Sequence, residues 1–190
     1  KVVCAPPQKS TDIDYYHNIY ENNLDTEIIF EEFIDGTMIN LFKYKEGTYI
    51  STRSCLGANC RWNSSNTFNT LFNECIEFSN FDNIDENLTL SFIIQHPDNT
   101  IVKKYVKADI KLCVANRINE DNSITILNRT QMTDILQKYN LNIEIPKRYS
   151  LESMEQTYKK IDELDETDQG IILKNYNENG DNRSKIRNIN

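Results

Sequence analysis

Apolar positions along the chain recur mostly with the period of β-strands. Residues Glu27 to Ile34 alternate and are rich in β-prone side chains, and the run from Leu88 to Gln95 is almost wholly apolar. Alternation predicts a strand with one buried face, and a continuous apolar run of this length predicts a strand buried on both faces. The strands predicted from pattern and composition are Lys1 to Cys4, Glu27 to Ile34, Thr37 to Tyr44, Thr48 to Thr52, Leu88 to Gln95, Ile101 to Val106, Ile110 to Ile118, Ser123 to Leu127, Gln169 to Tyr176 and Arg183 to Ile189.

Helical spacing and capping residues predict four helices between these strands. They are Asp12 to Asn22, a helix capped by Ser64 or Ser65 that carries Phe68, Leu71, Phe72, Cys75 and Ile76, Thr130 to Tyr139, and a helix from Ser150 to about Leu164. Gly47 in a hairpin loop and a turn at Asn179-Gly180 favour antiparallel pairing. The expected fold is therefore α+β, with mainly antiparallel sheets and flanking helices in one domain over residues 1–190.

Composition narrows the classes of partner. The chain has 190 residues and a net charge of −8, so a nucleic-acid partner needs a local patch of basic residues. Its five cysteines form no C-x-x-C pair, which disfavours zinc and favours reduced thiols in the cytoplasm. No apolar run is long enough to predict a membrane span, so no membrane partner is expected. The abundance of Asn, Ile, Lys and Tyr is typical of AT-rich genomes, including those of many large DNA viruses. The ends read as strands cut short, so we expect a fragment of a longer chain.

Familiar enzyme signatures are missing from the sequence. It contains no G-x-S-x-G nucleophile motif, and glycine is too scarce for a phosphate-binding loop. The two histidines, His17 and His96, do not stand next to a serine or cysteine nucleophile in a known arrangement. The acidic run at residues 162–166 is typical of a solvated helix face.

A set of short segments nevertheless occurs in a fixed order along the chain. They are Ile34-Asp35-Gly36-Thr37, Ser51-Thr52-Arg53-Ser54, the stretch from Leu90 to Val102 with its P-x-N-x-I-V element, Gln169-Gly170-Ile171-Ile172-Leu173-Lys174, and Ser184-Lys185-Ile186-Arg187. In this order the chain resembles the covalent nucleotidyltransferases, which include RNA ligases, DNA ligases and capping guanylyltransferases. It is most similar to the phage-type RNA ligases that repair broken tRNA.

The resemblance also shows what this chain lacks. The first motif of the family is K-x-D-G, whose lysine attacks the α-phosphate of the nucleotide, and here Phe33 stands in the lysine position. Ile93 occupies the position of a glutamate that binds the nucleotide ribose. Gln169 replaces the glutamate of the E-G-[IV] motif, and a neutral amide is a poor ligand for a hard cation. The resemblance therefore implies no catalytic residue, no metal ligand and no required cofactor.

Glycines, cations and aromatic side chains remain at positions that the family uses to bind nucleotides. The nucleotide- or RNA-binding residues that we expect are Phe33, Asp35, Gly36, Thr37, Arg53, Trp62, Gln169, Gly170, Lys174, Lys185 and Arg187. Trp62, Tyr44, Tyr49 and Phe33 are candidates to stack on a base or a methylated cap. A cleft that keeps its cations but loses its acids gains affinity for anions.

Three functions remain open at this point. The first is a catalytically inactive, ligase-like domain that binds ATP, GTP, an RNA 5′ end or an mRNA cap. The second is an active RNA ligase that uses a lysine from elsewhere, such as Lys9 or Lys43. The third is a protein-interaction module with a vestigial cleft, in which the Asp-Gly-Thr step is a plain turn.

Overall fold

The structure is a computed structural model that describes residues 1–22, 27–177 and 180–189. The chain divides into two compact units. The larger unit consists of Lys1–Pro7 and Gly36–Ile145, and the smaller unit consists of Gln8–Asp35 and Pro146–Asn190. The chain thus passes from the smaller unit to the larger one between Asp35 and Gly36. Asn179, in the turn expected before the last strand, lies outside the described residues.

The elements follow one another in a strand-rich order. They are α1 (Asp14–Glu21), β1 (Ile29–Glu32), β2 (Thr37–Tyr44), β3 (Gly47–Ser51), α2 (Phe68–Cys75), a 3₁₀ helix (Phe78–Phe81), β4 (Leu88–Gln95), β5 (Asp109–Ile118), β6 (Ile124–Ile126), α3 (Arg129–Lys138), β7 (Arg148–Tyr149), α4 (Met154–Asp162), β8 (Gly170–Asn177) and β9 (Gly180–Arg187). Among the described residues, no helix is both long and apolar enough to cross a membrane.

The larger unit is built on a five-stranded antiparallel sheet with the order β3-β2-β4-β5-β6. Every residue of the central strand β4 is buried, including the polar Thr89, Ser91 and Gln95, so the strand is covered on both faces as predicted. Leu88, Leu90, Phe92 and Ile94 pack with α2 and α3 in the main hydrophobic core. The opposite face of the sheet carries both polar and apolar residues and includes Ser91, whose hydroxyl donates to the Asn40 side chain over 2.8 Å.

The smaller unit is built on a four-stranded antiparallel sheet with the order β7-β1-β8-β9. One face of this sheet is apolar and packs against α1 and α4 through a second core that includes Phe30, Ile171, Leu173 and Ile186. Tyr16 of α1 is fully buried in this core, and its hydroxyl donates to the Leu173 carbonyl. The helices therefore cover one face, and the other face of the sheet carries different chemistry.

The predicted fold class is confirmed, and so are most of the elements. Two predicted strands are wrong. Lys1 to Cys4 forms no strand, since the Ala5 amide donates to the Thr89 hydroxyl and the Asn116 amide donates to the Ala5 carbonyl. Side chains of β4 and β5 thus satisfy the backbone that a strand ladder would have used.

The second wrong strand is Ile101 to Val106, which is irregular despite its β-prone composition. Ile101 and Val102 are half exposed and Val106 is fully exposed. Tyr105 holds the segment against the end of β4, where its hydroxyl accepts a hydrogen bond from Gln95. No strand of the sheet pairs with this segment in the described part of the chain, so propensity alone does not make it a strand.

Two predicted helix caps are displaced by three residues or fewer. Thr67, not Ser64 or Ser65, caps α2, because Ser64 accepts from the Asn66 amide in a turn of its own. Ser153, not Ser150, caps α4. The chain remains extended through β7, which pairs with β1, and this pairing delays the start of the helix.

Gly36 and Gly170 allow the close backbone approach that the sequence predicts. Gly36 has φ of +140° and Gly170 has φ of +126°, a region that residues with a side chain rarely adopt. A Cβ atom on Gly36 would lie 2.1 Å from the Ile94 carbonyl oxygen, and one on Gly170 would lie 2.0 Å from the Ile186 carbonyl oxygen. Neither backbone contact tolerates a methyl group.

We therefore expect Gly170→Ala to lower the free energy of unfolding by about 2 kcal/mol or more, because it adds both a strained φ and a clash with backbone. Urea unfolding followed by circular dichroism measures this loss. Gly47→Ala is the matched control, since a Cβ there meets only the ring of Tyr49, a movable side chain. If both variants lost the same free energy of unfolding, the close backbone contact assigned to Gly170 would be contradicted.

Candidate functional site

Strand register places basic residues on the face of the smaller sheet opposite the helices. Residues that pair directly across strands share a face, and the faces alternate along each strand. We call this surface the cationic face, and its members follow from the observed pairs. They are Arg148, Ile29, Glu31, Gly170, Ile172, Lys174, Arg183, Lys185 and Arg187. Of the side chains that the structure describes there, five are basic and one is acidic.

Phe33 continues this face beyond the end of β1. The Lys185 Nζ atom lies 5.0 Å from the centroid of the Phe33 ring, and the Arg187 guanidinium carbon lies 5.5 Å from it. Both distances fit cation–π contact, in which the ring quadrupole attracts a positive charge. The Phe33 amide also donates to the Gly170 carbonyl over 3.1 Å. The structure therefore brings Phe33 together with Lys185 and Arg187, three of the residues that the resemblance implies for binding.

Gln169 connects an acid to a cation at one end of the cationic face. Its side-chain Nε2 donates to Asp35 Oδ1 over 2.7 Å, and its Oε1 accepts from Arg187 Nη1 over 3.2 Å. Gln169 and Asp35 are both buried. A glutamate here could accept from Arg187 but could not donate to Asp35, and two carboxylates would then face each other. The amide thus fits its neighbours better than the acid that the family motif contains.

Lys174 is placed on the same face, but in a buried ion pair. Its Nζ lies 2.6 Å from Glu31 Oε2, and the side chains of both residues are 5% exposed. Glu31 Oε1 also accepts from Arg148 Nε over 3.2 Å. A phosphate could reach Lys174 only by competing with Glu31, so Lys174 is less available to a ligand than its motif position suggests.

Lys185 and Arg187 are exposed, unlike Lys174. Partial burial lowers the pKa of Lys185, and the positive charges of Arg183 and Arg187 lower it further. Burial alone does not indicate the sign of the local potential, but the part of the lowering of the pKa of Lys185 that comes from Arg183 and Arg187 reflects a positive potential at this lysine. That potential favours the binding of an anion, which would in turn stabilise the charged form of the lysine.

The larger unit holds a second cluster of the expected residues. Asn99 Nδ2 donates to Thr37 Oγ1 over 3.0 Å, and Asn99 is 2% exposed. Ile93 lies beside them, since a Cβ atom on Gly36 would come within 2.7 Å of its Cγ2. The first and third sequence segments therefore meet, and the apolar Ile93 stands where the resemblance expects a glutamate.

Arg53 and Trp62 lie in the loop between β3 and α2 of the larger unit. Both are exposed, and 66% of the Trp62 side chain is accessible. No described contact joins either of them to Thr37 or Asn99. Of the other aromatic candidates, Tyr49 stacks on Phe42 at 5.9 Å between ring centroids. Trp62 is thus the most exposed of the aromatic side chains proposed to stack on a base.

Acidic and imidazole groups form structural pairs in the larger unit. His96 Nε2 lies 2.8 Å from Glu74, and His96 Nδ1 accepts from the Asp98 amide over 3.0 Å. Both ring nitrogens are thus occupied in fixing the loop after β4. The described residues contain no group of three or more His, Cys, Asp or Glu side chains that could hold a metal ion.

Glu31, Arg148 and the bridging role of Gln169 were not predicted from the sequence. Glu31 lies two residues before Phe33, so strand alternation alone could have placed the two on one face. Nothing local marks Arg148, because its place depends on the pairing of two strands separated by more than a hundred residues.

Comparison with solved structures shows the fold. An RNA ligase of Naegleria gruberi, a mutant solved with AMP and Mn, superposes with a TM-score of 0.69 and 12% identity over 97% of this chain and 56% of that one. An archaeal ATP-dependent RNA ligase superposes with a TM-score of 0.63 and 13% identity, over 87% of this chain and 44% of the ligase. An Aquifex aeolicus protein provisionally identified as an ATP-dependent DNA ligase superposes with a TM-score of 0.64 and 18% identity, over 95% of this chain and 48% of that protein.

Comparisons of the sequence with protein-family models and with curated proteins find no match. The chain spans about half the length of the ligases that it superposes on. Its mixed α and β elements and antiparallel sheets match the nucleotidyltransferase domains of those RNA ligases. The chain therefore has the fold of an RNA ligase nucleotidyltransferase domain.

Proposed function

We propose that this domain binds a nucleotide or an RNA 5′ end without forming a covalent bond to it. The observation that carries the proposal is Phe33, a side chain with no nucleophilic atom, in contact with Lys185 and Arg187. A benzyl group forms no phosphoramidate, so the position that would react in a ligase serves here only to support two cations. Those cations are then available to phosphate oxygens.

The positive charge of Lys185 and Arg187 supports the proposal that the ligand is an anion. Glu31 compensates Lys174, and Asp35 is bound by the neutral Gln169, so neither acid pairs directly with Lys185 or Arg187 in the described contacts. Hydrogen bonds between cations and phosphate are about twice as strong as neutral ones. On a chain with a net charge of −8, this local surplus of positive charge marks where a polyanion would bind.

A capped 5′ end is one form of the proposed ligand. Its methylated base is positively charged and binds by stacking on aromatic faces, for which Trp62 is exposed. The composition fits a gene from an AT-rich genome such as that of a large DNA virus, and we propose the cytoplasm as the place of action. A vestigial cleft that binds only a protein is the alternative if no nucleotide binds.

We expect ATP, GTP or a cap analogue to raise the melting temperature with or without magnesium, because a ligand that binds the folded state stabilises it. Lys185→Ala and Arg187→Ala should each weaken binding about tenfold, which corresponds to about 1.4 kcal/mol. Thermal-shift titrations with each ligand measure both effects. The response to the three ligands also shows whether a cap is preferred.

Lys159→Ala is the matched control for these variants. Lys159 is an exposed lysine in the last turn of α4, and its removal changes the net charge by the same amount. If it weakens binding as much as Lys185→Ala, the interaction is unspecific. If no ligand shifts the melting temperature at millimolar concentration, the proposed function is wrong and the protein-interaction module replaces it.

The position of Lys185 favours one form of the alternative function, an active nucleotidyltransferase that uses a lysine from outside the first motif. Lys185 is an exposed lysine with a lowered pKa that lies against the Phe33 ring, and a lower pKa makes the neutral, nucleophilic amine easier to form. Lys43 instead donates to the Asp82 carbonyl in the larger unit. If transfer occurs, Lys185 is a better candidate for the nucleophile than Lys43.

Incubation with ATP or GTP radiolabelled at the α-phosphate, with a divalent metal, separates the two functions. We expect no label that stays on the chain through denaturing electrophoresis at neutral or alkaline pH, because the proposed binding is non-covalent. A label that is retained by Arg187→Ala and lost in Lys185→Ala would instead establish covalent transfer to Lys185. Mass spectrometry of the labelled peptide locates the bond.

Binding should also weaken at alkaline pH. Lys185 contributes to anion binding only when protonated, and its pKa lies below the ordinary 10.5, so affinity should fall as pH rises through that lowered pKa. Titrations with GTP between about pH 7 and about pH 10 measure the fall. An arginine at position 185 (Lys185→Arg) stays charged over this range, so this variant should show little of the fall in affinity. Identical profiles for the two proteins would contradict a role for Lys185.

A further inference from the structure

Two cysteines face each other in the loop between β3 and α2. Cys55 and Cys60 are separated by four residues, and Cys60 lies close enough to Cys55 to raise the pKa of its thiol. Thr52 lies beside both, since its hydroxyl accepts from the Cys55 amide over 3.1 Å and lies 3.7 Å from Cys60 Sγ. A tight turn in the backbone thus brings both cysteine residues next to one hydroxyl group.

The turn is held by backbone hydrogen bonds that do not involve the thiols. The Cys55 carbonyl accepts from the Thr52 amide over 3.0 Å, and the Gly57 amide donates to the Ile50 carbonyl over 2.8 Å. At the other end, the Cys60 carbonyl accepts from the Phe68 amide at the start of α2 over 2.8 Å. Both cysteines are thus fixed in position by the fold.

The other three cysteines have different surroundings. The Cys75 thiol donates to the Asp109 carbonyl over 3.3 Å, and burial, with the Asp109 carboxylate, raises the pKa of Cys75 to about 12. The Cys113 thiol donates to the Lys111 carbonyl, and the Cys4 thiol bonds Thr89 and Ser51 hydroxyls. Cys55 and Cys60 also have oxygen partners, the Leu56 carbonyl and the Thr52 hydroxyl, but among the described cysteines only these two are neighbours of each other.

We propose that Cys55 and Cys60 form a reversible disulfide bond that closes this loop. The co-reactant is a disulfide oxidant of the glutathione type. One thiolate attacks the oxidant and releases a first glutathione thiol, and the second cysteine then attacks the mixed disulfide and releases another. The two cysteines lose two electrons and two protons, and the oxidant gains both as two thiols.

Such a bond would act on the loop that presents Arg53 and Trp62. Arg53 precedes the proposed ring and Trp62 follows it, so ring closure restricts the backbone on which both exposed side chains stand. The proposal does not depend on what those side chains bind. Reversible disulfides in reducing compartments typically report or control redox state, and that role suits a pair that is partly exposed.

The reaction rate has an expected pH dependence. Desolvation and the neighbouring Cys60 thiol raise the pKa of Cys55, and only the thiolate is a nucleophile. Oxidation should therefore be slow near neutral pH and faster under mildly alkaline conditions.

The sequence offers a direct test, because trypsin cleaves after Arg53 and Arg61 and leaves both cysteines on one peptide, residues 54–61. The folded chain is treated with oxidised glutathione, quenched with acid, alkylated with iodoacetamide and digested. We expect this peptide to lack both alkyl groups and to weigh two hydrogen atoms less than its reduced form. Reduction before alkylation should restore two alkyl groups.

Cys113→Ser is the matched control and should form the bridge as the unmodified chain does, whereas Cys55→Ser should leave Cys60 alkylated or bound to one glutathione. The same treatment in urea should give less bridge, because the turn no longer holds the pair together. Two glutathione groups on the peptide, two alkyl groups after oxidation, or an equal yield of bridge in urea would each overturn the proposal.

Discussion

The register between β8 and β9 is the constraint on which the cationic face depends. Pairing of Ile172 with Lys185 and of Lys174 with Arg183 places alternate side chains of both strands on one side. A shift of one residue would turn Lys185 into the apolar core and expose Ile186 instead. The burial of Ile186 against the helices and the exposure of Lys185 therefore have one physical cause, and the stability of the smaller unit enforces the chemistry of its open face.

Pairing also decides which cations remain available. Lys174 and Lys185 occupy neighbouring strands of the same face, yet the first is buried against Glu31 and the second is exposed. A buried lysine without a partner would be costly, so Glu31 is needed once Lys174 is covered. The pair holds β1 and β8 together, whereas Lys185 and Arg187 carry the charge that a ligand would meet. Motif position alone does not separate these two roles.

Pattern predicted most of the fold and part of the candidate site. The bounds of β4 are those predicted from the mostly apolar run Leu88 to Gln95, and the structure buries all eight residues. The segment at Ile101 to Val106 has equally β-prone residues but is not a strand, because propensity does not supply a pairing partner. The contact of Phe33 with Lys185 agrees with the order of motifs, whereas the partners Glu31 and Arg148 depend on long-range register that no local signal specifies.

The side-chain amide of Gln169 donates a hydrogen bond at one end and accepts one at the other. Its nitrogen end faces the Asp35 carboxylate and its oxygen end faces Arg187, so the two ends are not interchangeable. Replacing it with glutamate alone would set two negative groups 2.7 Å apart in a buried place, and the resulting repulsion would favour protonation of one of them. A glutamate at this position would therefore be tolerated better if Asp35 changed as well. One hydrogen-bond donor thus couples the choice of residue at position 169 to the choice at position 35.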